Sequence, residues 1–425
     1  MRVLINIWNA PDLRKKILFT VFIIIVFRLI TYIPLPGVDV LALRSLFSGS
    51  QIFQLLDLFS GGTLFNFSIV TLGLNPYINA SIIFSLLTNV VPKLEELQKE
   101  GEYGRAKINQ YTRYLTVPLA FTQSWGVLIF FQRSGTGLLT HLSPLELATI
   151  IIAMTCGSVV LMWFGELITE YGIGNGISIL IFAGILARLP VSLVRTTTIF
   201  TAENALNILL ILVLALVVIG AIVVINEAHR RVLVQYARRV RGDRSYGGGS
   251  THLPIRINQA GVIPIIFAIS IILFPGMLAT FFATSANPAV ANAAKAVSDF
   301  FNNTTYYSII YFFLVLIFTY FYTAITFQPT KIADDLRKYG GFIPGIRPGH
   351  ATSDYLSYII NRITLIGGIF LGVVAVLPFV VTGVTNVSTL AIGGTGLLIV
   401  VSVVLETAKQ LESQLVMRSY EGFLH

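Results

Sequence analysis

Ten mostly apolar stretches punctuate the chain, at roughly 17–35, 69–91, 114–132, 146–166, 173–190, 206–226, 259–282, 306–327, 361–381 and 388–406. A helix needs about 20 such residues to cross the ~30 Å of bilayer hydrocarbon. Lipid offers no partner for backbone N–H and C=O groups, so runs of this length read as helices, not as barrel strands, which alternate over short segments. The pattern predicts an all-α polytopic membrane protein with about ten transmembrane helices. The first run follows Arg14, Lys15 and Lys16 in the manner of a secretory signal. It is longer than a ~7–15-residue signal core and no small-residue cleavage pattern follows, so it is expected to be kept as a span.

One stretch breaks the pattern. Leu55–Phe67 (LLDLFSGGTLFNF) is apolar but short, is interrupted by Gly61 and Gly62, and lies directly before the second span. Irregular backbone persists at membrane depth only where protein or a water-filled cavity covers it. Two readings stand: a half-helix folded back into a cavity, or a loop packed on the external surface.

Charge orients the spans. Of the 29 Lys and Arg, 23 lie in the N-terminal tail, the segments 92–113, 227–258 and 328–362, and the C-terminal tail. Arg44, Arg133, Arg188, Arg195 and Lys295 lie in the intervening loops, and Arg28 lies within the first span, where it can snorkel toward the outer headgroups. The positive-inside rule then puts both termini and the three basic loops in the cytoplasm. Five spans followed by five more imply that the second half enters from the opposite face. Two inverted five-helix halves, 1–190 and 206–425, joined by an external hinge at 191–205, are expected on that geometry alone.

Composition agrees: 55% hydrophobic and 12% charged residues with a mean hydropathy of +0.80, against about 25% charged in soluble domains. The net charge of +9 sits in loops that are longer than topology requires. The loop 227–258 carries Arg230, Arg231, Arg238, Arg239, Arg241 and Arg244 before Gly247–Gly249, and 328–360 carries Lys331, Arg337, Lys338 and Arg347 among Pro344, Gly345, Pro348 and Gly349. Anionic lipid alone would reward such residues by about 1 kcal/mol each. Two long basic loops on one face also make a docking surface for an acidic or nucleic-acid partner. The single cysteine, Cys156, lies in an apolar run, excludes an intramolecular disulfide and is expected to be an inert core thiol. No phosphate loop, zinc-ligand spacing or nucleophile–base cluster occurs, so neither an enzyme nor a cofactor or metal is expected. Ionisable groups are scarce at mid-membrane, which disfavours the main alternative, a secondary transporter of small solutes.

The segments FSGGTLFNFSIVTLGLNPYINASII, EGEYGRAKINQYTRY, GELITEYGIGNGISILIFAGI, STHLPIRINQAGVIPIIFA, FIPGIRPG and GGTGLLIVV, in this order, resemble the SecY family, the central channel subunits of the bacterial Sec translocon. The resemblance implies a clam-shaped channel for unfolded secretory polypeptides in the plasma membrane, opening sideways to lipid between spans two and seven. It implies a plug at Phe59, Ser60, Gly61, Gly62, Thr63, Leu64 and Phe65, within a re-entrant segment of about 55–68. An aliphatic pore ring maps onto Leu74, Ile78, Ile177, Ile181, Ile266 and Ile399, and polar lateral-gate positions onto Asn79, Gln123 and Asn258. Arg230, Arg231, Arg238, Arg239 and above all Arg347 would dock the SecA motor or the ribosome. The implied partners are the small subunits SecE and SecG, signal-bearing preproteins, membrane lipid, and SecDF and YidC.

Overall fold

The computed structural model describes residues 10–36, 63–64, 66–133, 143–198, 205–236, 239–241, 244–246, 249–282, 287–385 and 394–421. Within these residues the N-terminal half comprises α1 (Pro11–Ile30), α2 (Asn75–Val90), α3 (Pro92–Lys99), α4 (Glu102–Arg133), α5 (Pro144–Tyr171) and α6 (Gly176–Thr198). The C-terminal half follows with α7 (Ala205–Glu227), β1 (His229–Tyr236), β2 (Arg239–Arg241), β3 (Arg244–Tyr246), β4 (Ser250–Arg256) and α8 (Ile263–Phe282). It continues with α9 (Pro288–Asn302), α10 (Thr304–Thr326), α11 (Pro329–Lys338), β5 (Gly341–Phe342), α12 (His350–Thr385) and α13 (Gly394–Glu421).

Each of the ten apolar stretches coincides with a helix, but not every helix is a full span by itself. Among the described residues four stretches are long and apolar enough to cross a membrane: Pro144–Tyr171, Ile208–Glu227, Thr304–Lys338 and His350–Val381. The pair Asn75–Thr88 and Pro92–Lys99, bent by 97°, is a broken fifth. Gly176–Ala187 and Ile263–Ile272 are shorter apolar segments. The expected span 69–91 opens as turns through Leu74, and α2 starts only where Pro76 occupies its first turn, a position that proline tolerates because no intrahelical N–H is needed there. Conversely α4 begins at Glu102 and α13 runs on to Glu421. Hydropathy registers only the apolar part of such helices. Helix α6 continues through Pro190 to Thr198, so the first part of the expected hinge segment 191–205 is helical, and 199–204 lie outside the described residues.

The expectation of an all-α chain misses the five strands. β1 pairs antiparallel with β4 from His229↔Arg256 to Gln235↔Ser250, and its other edge takes β5 through Gln235↔Phe342 and Tyr236↔Gly341. The two long basic loops are therefore one body. Val232, Val234 and Ile255 of the sheet pack with Ile343 and with Leu356, Ile359 and Ile360 of α12 to form its core.

Side chains cap several helix starts. Ser143 and Glu146 form a reciprocal capping box on α5, and Asn287 and Asn303 accept backbone N–H bonds at the starts of α9 and α10. Several hydroxyls bond within their own helix: Thr112, Thr116, Ser124, Thr155 and Thr319 each donate to the carbonyl four residues back. The central apolar cluster draws on both halves, from Ile23 and Phe27 of α1 through Leu161, Ile168 and Ile185 to Ile222, Ile269, Tyr311, Leu371 and Leu398. The halves meet on two sides: α6 packs on α13, and α8 packs on α2 and α4. The outer faces stay apolar. On α7, Leu206, Leu209, Leu212, Leu216 and Val217 are all exposed, an apolar surface suited to lipid or a membrane partner. Cys156 shares that fate: it is exposed on α5, not a core thiol, because it lies off the face that α5 turns to its neighbours.

A close helix contact joins α5 to α6. A Cβ on Gly176 would lie 1.9 Å from the Gly165 carbonyl oxygen, and one on Gly165 would lie 2.9 Å from Ile177 Cγ1. Gly176→Val is therefore expected to destabilise the protein by about 1–3 kcal/mol or more through overpacking. Gly220→Ala, at a helical glycine with open space around it, should be neutral or stabilising by up to about 1 kcal/mol. Thermal unfolding in detergent reads both; equal midpoints for the two variants would contradict the close approach.

Candidate functional site

Three irregular turns introduce the helices that carry most of the candidate residues. The first, Thr63–Leu74, is buried against the N-terminal half. Leu35 donates its N–H to the Phe67 carbonyl (3.0 Å), Ile69 to the Ile33 carbonyl (3.1 Å), and Ser158 Oγ donates to the Gly73 carbonyl (2.9 Å). Phe67 takes φ 42°, a rare conformation for a bulky residue, held by these bonds and by its ring edge-on to Phe131 at 5.4 Å. Thr63, Leu64 and Phe67 are all buried, the last two in a cluster with Leu35, Leu72, Leu128 and Met154. This end of the broken segment is thus a packed foot, not a surface loop. Phe59, Ser60, Gly61, Gly62 and Phe65, also expected in the plug, lie outside the described residues.

The second turn, Gly172–Asn175, joins α5 to α6. Thr20 Oγ1 of α1 accepts from the Ile173 N–H (3.2 Å), and Thr169 Oγ1 accepts from the Gly176 N–H (2.9 Å). Asn175 Oδ1 accepts from the N–H groups of Ile177 and Ser178. Arg28 does not simply reach outward: its guanidinium donates to the Ala183 carbonyl of α6 and lies over the Phe27 ring at 5.1 Å.

From these starts the ring candidates project. Leu74 and Ile78 flank the first turn of α2, Ile177 and Ile181 lie one turn apart on α6, Ile266 opens α8, and Ile399 lies early in α13. Leu74 (5% exposed), Ile181 (6%) and Ile399 (1%) are buried in the central cluster, and half-buried Ile78 and Ile177 pack against it. Ile266 is half-buried and is not among that cluster's residues, although its neighbours Ile265, Ala268 and Ile269 are. Five of the six candidates are therefore brought together from both halves.

The third turn, residues 257–262, holds Asn258. Ile257 donates to the Ala228 carbonyl at the end of α7 (3.0 Å). Asn258 Nδ2 donates to Asn226 Oδ1 (2.9 Å) and to the Gly261 carbonyl (3.3 Å), and Asn226 Nδ2 donates to Ser402 Oγ of α13 (2.8 Å). Asn258 is buried, whereas Asn79 on α2 and Gln123 on α4 are half-buried. Among the described residues Asn258 bonds Asn226, not the other two gate candidates. Sequence reasoning missed Asn226 and Ser402. The available signal was a polar side chain at the end of, or inside, an otherwise aliphatic run.

On the basic face, Arg230 and Arg231 are exposed on β1 and Arg347 is exposed in the turn between β5 and α12. That turn is built by Gly345 (φ 81°) and Gly349 (φ 102°) and pinned where Thr352 Oγ1 donates to the Arg347 carbonyl (2.9 Å). Ile346 packs on the sheet's core beside it. Arg239 lies in β2, and Arg238 is outside the described residues. The described residues contain no cluster of three or more His, Cys, Asp or Glu able to hold a metal.

Residues 68–408 match the SecY family model. The chain is 46% identical to the protein translocase subunit SecY of Streptomyces coelicolor and 45% identical to that of Mycobacterium tuberculosis, in each case across 98% of both chains. Among solved structures, a protein-conducting channel (17% identity, TM-score 0.61) and a structure concerned with the plug domain of SecY (18%, TM-score 0.63) each align with 94% of this chain and 92% of their own. Sec61 in the canine ribosome–channel complex aligns to the same extents with a TM-score of 0.59. At these identities the structures show a shared fold.

The sheet that unites the basic loops has a weak point at Gly341, where a Cβ would lie 3.1 Å from Tyr236 Cε1 and 3.4 Å from Leu336 Cδ2. Gly341→Val should part β5 from β1 at a cost of about 1–2 kcal/mol and speed limited tryptic cleavage at Arg337 and Lys338 several-fold. Unchanged cleavage would show that the two loops do not depend on that pairing.

Proposed function

The chain belongs to the SecY family of protein translocase channel subunits, multi-pass and non-enzymatic, and we propose that it conducts unfolded polypeptides through an aliphatic ring between its two halves. The observation that carries this reading is the gathering of Leu74, Ile78, Ile177, Ile181 and Ile399 from α2, α6 and α13 into one apolar cluster at the junction of the halves. A translocating chain is variable in sequence, so fixed hydrogen-bonding groups in its path would retain some segments and release others. Aliphatic side chains offer no directional bond, deform around different residues, and block ions by dewetting when the pore is empty. Ile266 completes the ring from α8. The small-solute transporter alternative gives way to family membership.

The contact of α8 with α2 and α4 supports a lateral gate there, with Asn79, Gln123 and Asn258 as its polar positions. A segment facing the open gate sorts by transfer free energy. Leu, Ile, Phe or Val gains about 0.3–0.6 kcal/mol at the helix centre, whereas Lys, Arg or Asp costs about 2.5–3.5 kcal/mol. Twenty apolar residues leave for lipid and a polar segment passes through. The segment ending in the buried foot at Thr63–Phe67 is the plug. The α6–α13 side acts as the hinge between halves 1–190 and 206–425, with 191–205 as the external connection. Both termini and the basic sheet face the cytoplasm. There Arg230, Arg231, Arg238, Arg239 and Arg347 dock SecA or the ribosome; a ribosome–channel complex is among the structures sharing the fold. SecE, SecG, SecDF and YidC are the membrane partners.

The test is crosslinking of a stalled, half-exported polypeptide to cysteines placed singly at Ile78 and Ile266, in a Cys156→Ser background because that thiol is exposed. Crosslinks at both positions are expected, with the Ile78 adduct persisting as the segment between the stall and the signal is lengthened. Absence at both would remove the ring from the translocation path.

A further inference from the structure

We propose that Asn226, anchored by Ser402, is a positioning residue that holds the Asn258 amide inside the C-terminal half and so sets the threshold for sideways opening. The proposal rests on the lateral-gate reading above. Asn258 lies in the turn that feeds α8, and α8 is the helix that touches α2 and α4 of the other half. Its Nδ2 carries two hydrogens, one directed to Asn226 Oδ1 and one to the Gly261 carbonyl.

A backbone carbonyl can only accept, so the nitrogen of Asn258 must face Gly261. The Asn226 atom meeting that same nitrogen must be its oxygen, and Asn226 then turns its own nitrogen to Ser402 Oγ. One backbone group thus orients two amides in series. The backbone beside them is equally confined. Ile257 donates to Ala228, and a Cβ on Gly367 of α12 would come within 2.9 Å of the Ile257 carbonyl oxygen.

This orientation leaves Asn258 Oδ1 buried without a hydrogen-bond partner among the described residues, a costly state for an amide. The side chain is therefore held there by its neighbours, not by its own best arrangement. Released from Asn226, the amide can turn and use donor and acceptor together. Asn79 and Gln123, half-buried on the two helices that α8 touches, are the amides able to receive it. With the relay intact, α8 parts from α2 without breaking an amide pair.

In the full translocon, test segments of graded leucine content read the ratio of membrane-inserted to translocated product. Asn226→Ala is expected to lower that ratio about five-fold, the factor that one net hydrogen bond across the gate supplies, and about two added leucines should restore it. Adding Asn258→Ala should abolish the loss, since the amide that would bridge the gate is gone. Ser402→Ala should give a smaller loss that Asn258→Ala also abolishes, and it carries the test if Asn226→Ala does not assemble. An unchanged ratio in the assembled Asn226→Ala variant, or a loss that persists in the double variant, overturns the relay. A cysteine replacing Asn79 that fails to crosslink the inserting segment removes the gate itself; a crosslink there with losses that persist removes the relay alone.

Discussion

Backbone amides and carbonyls have no solvent partner in hydrocarbon, and the rest of this structure depends on that constraint. It makes the apolar stretches helical, and it also decides where the chain is allowed to stop being helical. The three irregular turns, 63–74, 172–175 and 257–262, are each fastened by groups from elsewhere in the fold: Leu35 and Ser158 on the first, Thr20 and Thr169 on the second, Ala228 and Asn226 on the third. Each turn leads directly into a helix whose first two turns carry ring candidates. Leu74 ends the first turn and Ile78 follows it, Ile177 and Ile181 follow the second, and Ile266 the third. A helix that starts from a fastened turn presents its first side chains at a defined height and angle. The satisfaction of backbone groups and the placement of the proposed ring are thus the same piece of architecture.

The helices were legible because a run of about twenty apolar residues has one physical reading in lipid. What hydropathy could not register is helix that leaves the membrane: Glu102 to Arg113 and the turns after Glu406 are charged, yet they continue α4 and α13. The sheet was invisible for a different reason. Gln235 and Phe342 pair across more than a hundred intervening residues, and β5 is too short to leave a periodic trace of its own. The ring candidates came from resemblance, because an isoleucine facing lipid and one facing a pore carry the same local pattern. Their meeting in one cluster is information that only the fold supplies. Asn226 and Ser402 escaped because each looks like an ordinary interfacial polar residue until Asn258 is placed between them.

The ring and the relay use opposite kinds of interaction, and the contrast follows from what each has to do. The packing of Leu74, Ile181 and Ile399 in the central cluster is dispersive and non-directional, and in the proposed ring it would be exchanged for contacts with any passing side chain at small cost. The chain Gly261–Asn258–Asn226–Ser402 is directional, since each of its bonds runs from an amide nitrogen to an oxygen and its sense is fixed by a backbone carbonyl. Placed in the path of a translocating polypeptide, such groups would discriminate by sequence. Held within one half beside α8, they would discriminate by state under the proposed relay, because the Asn258 acceptor would gain a partner only when the helices of the proposed gate rearrange. A channel that must ignore sequence along its axis and yet respond to apolarity at its side is served by keeping the two interactions apart, and the fold does so by setting the amides at the entry to α8 and the aliphatic side chains at the junction of the halves.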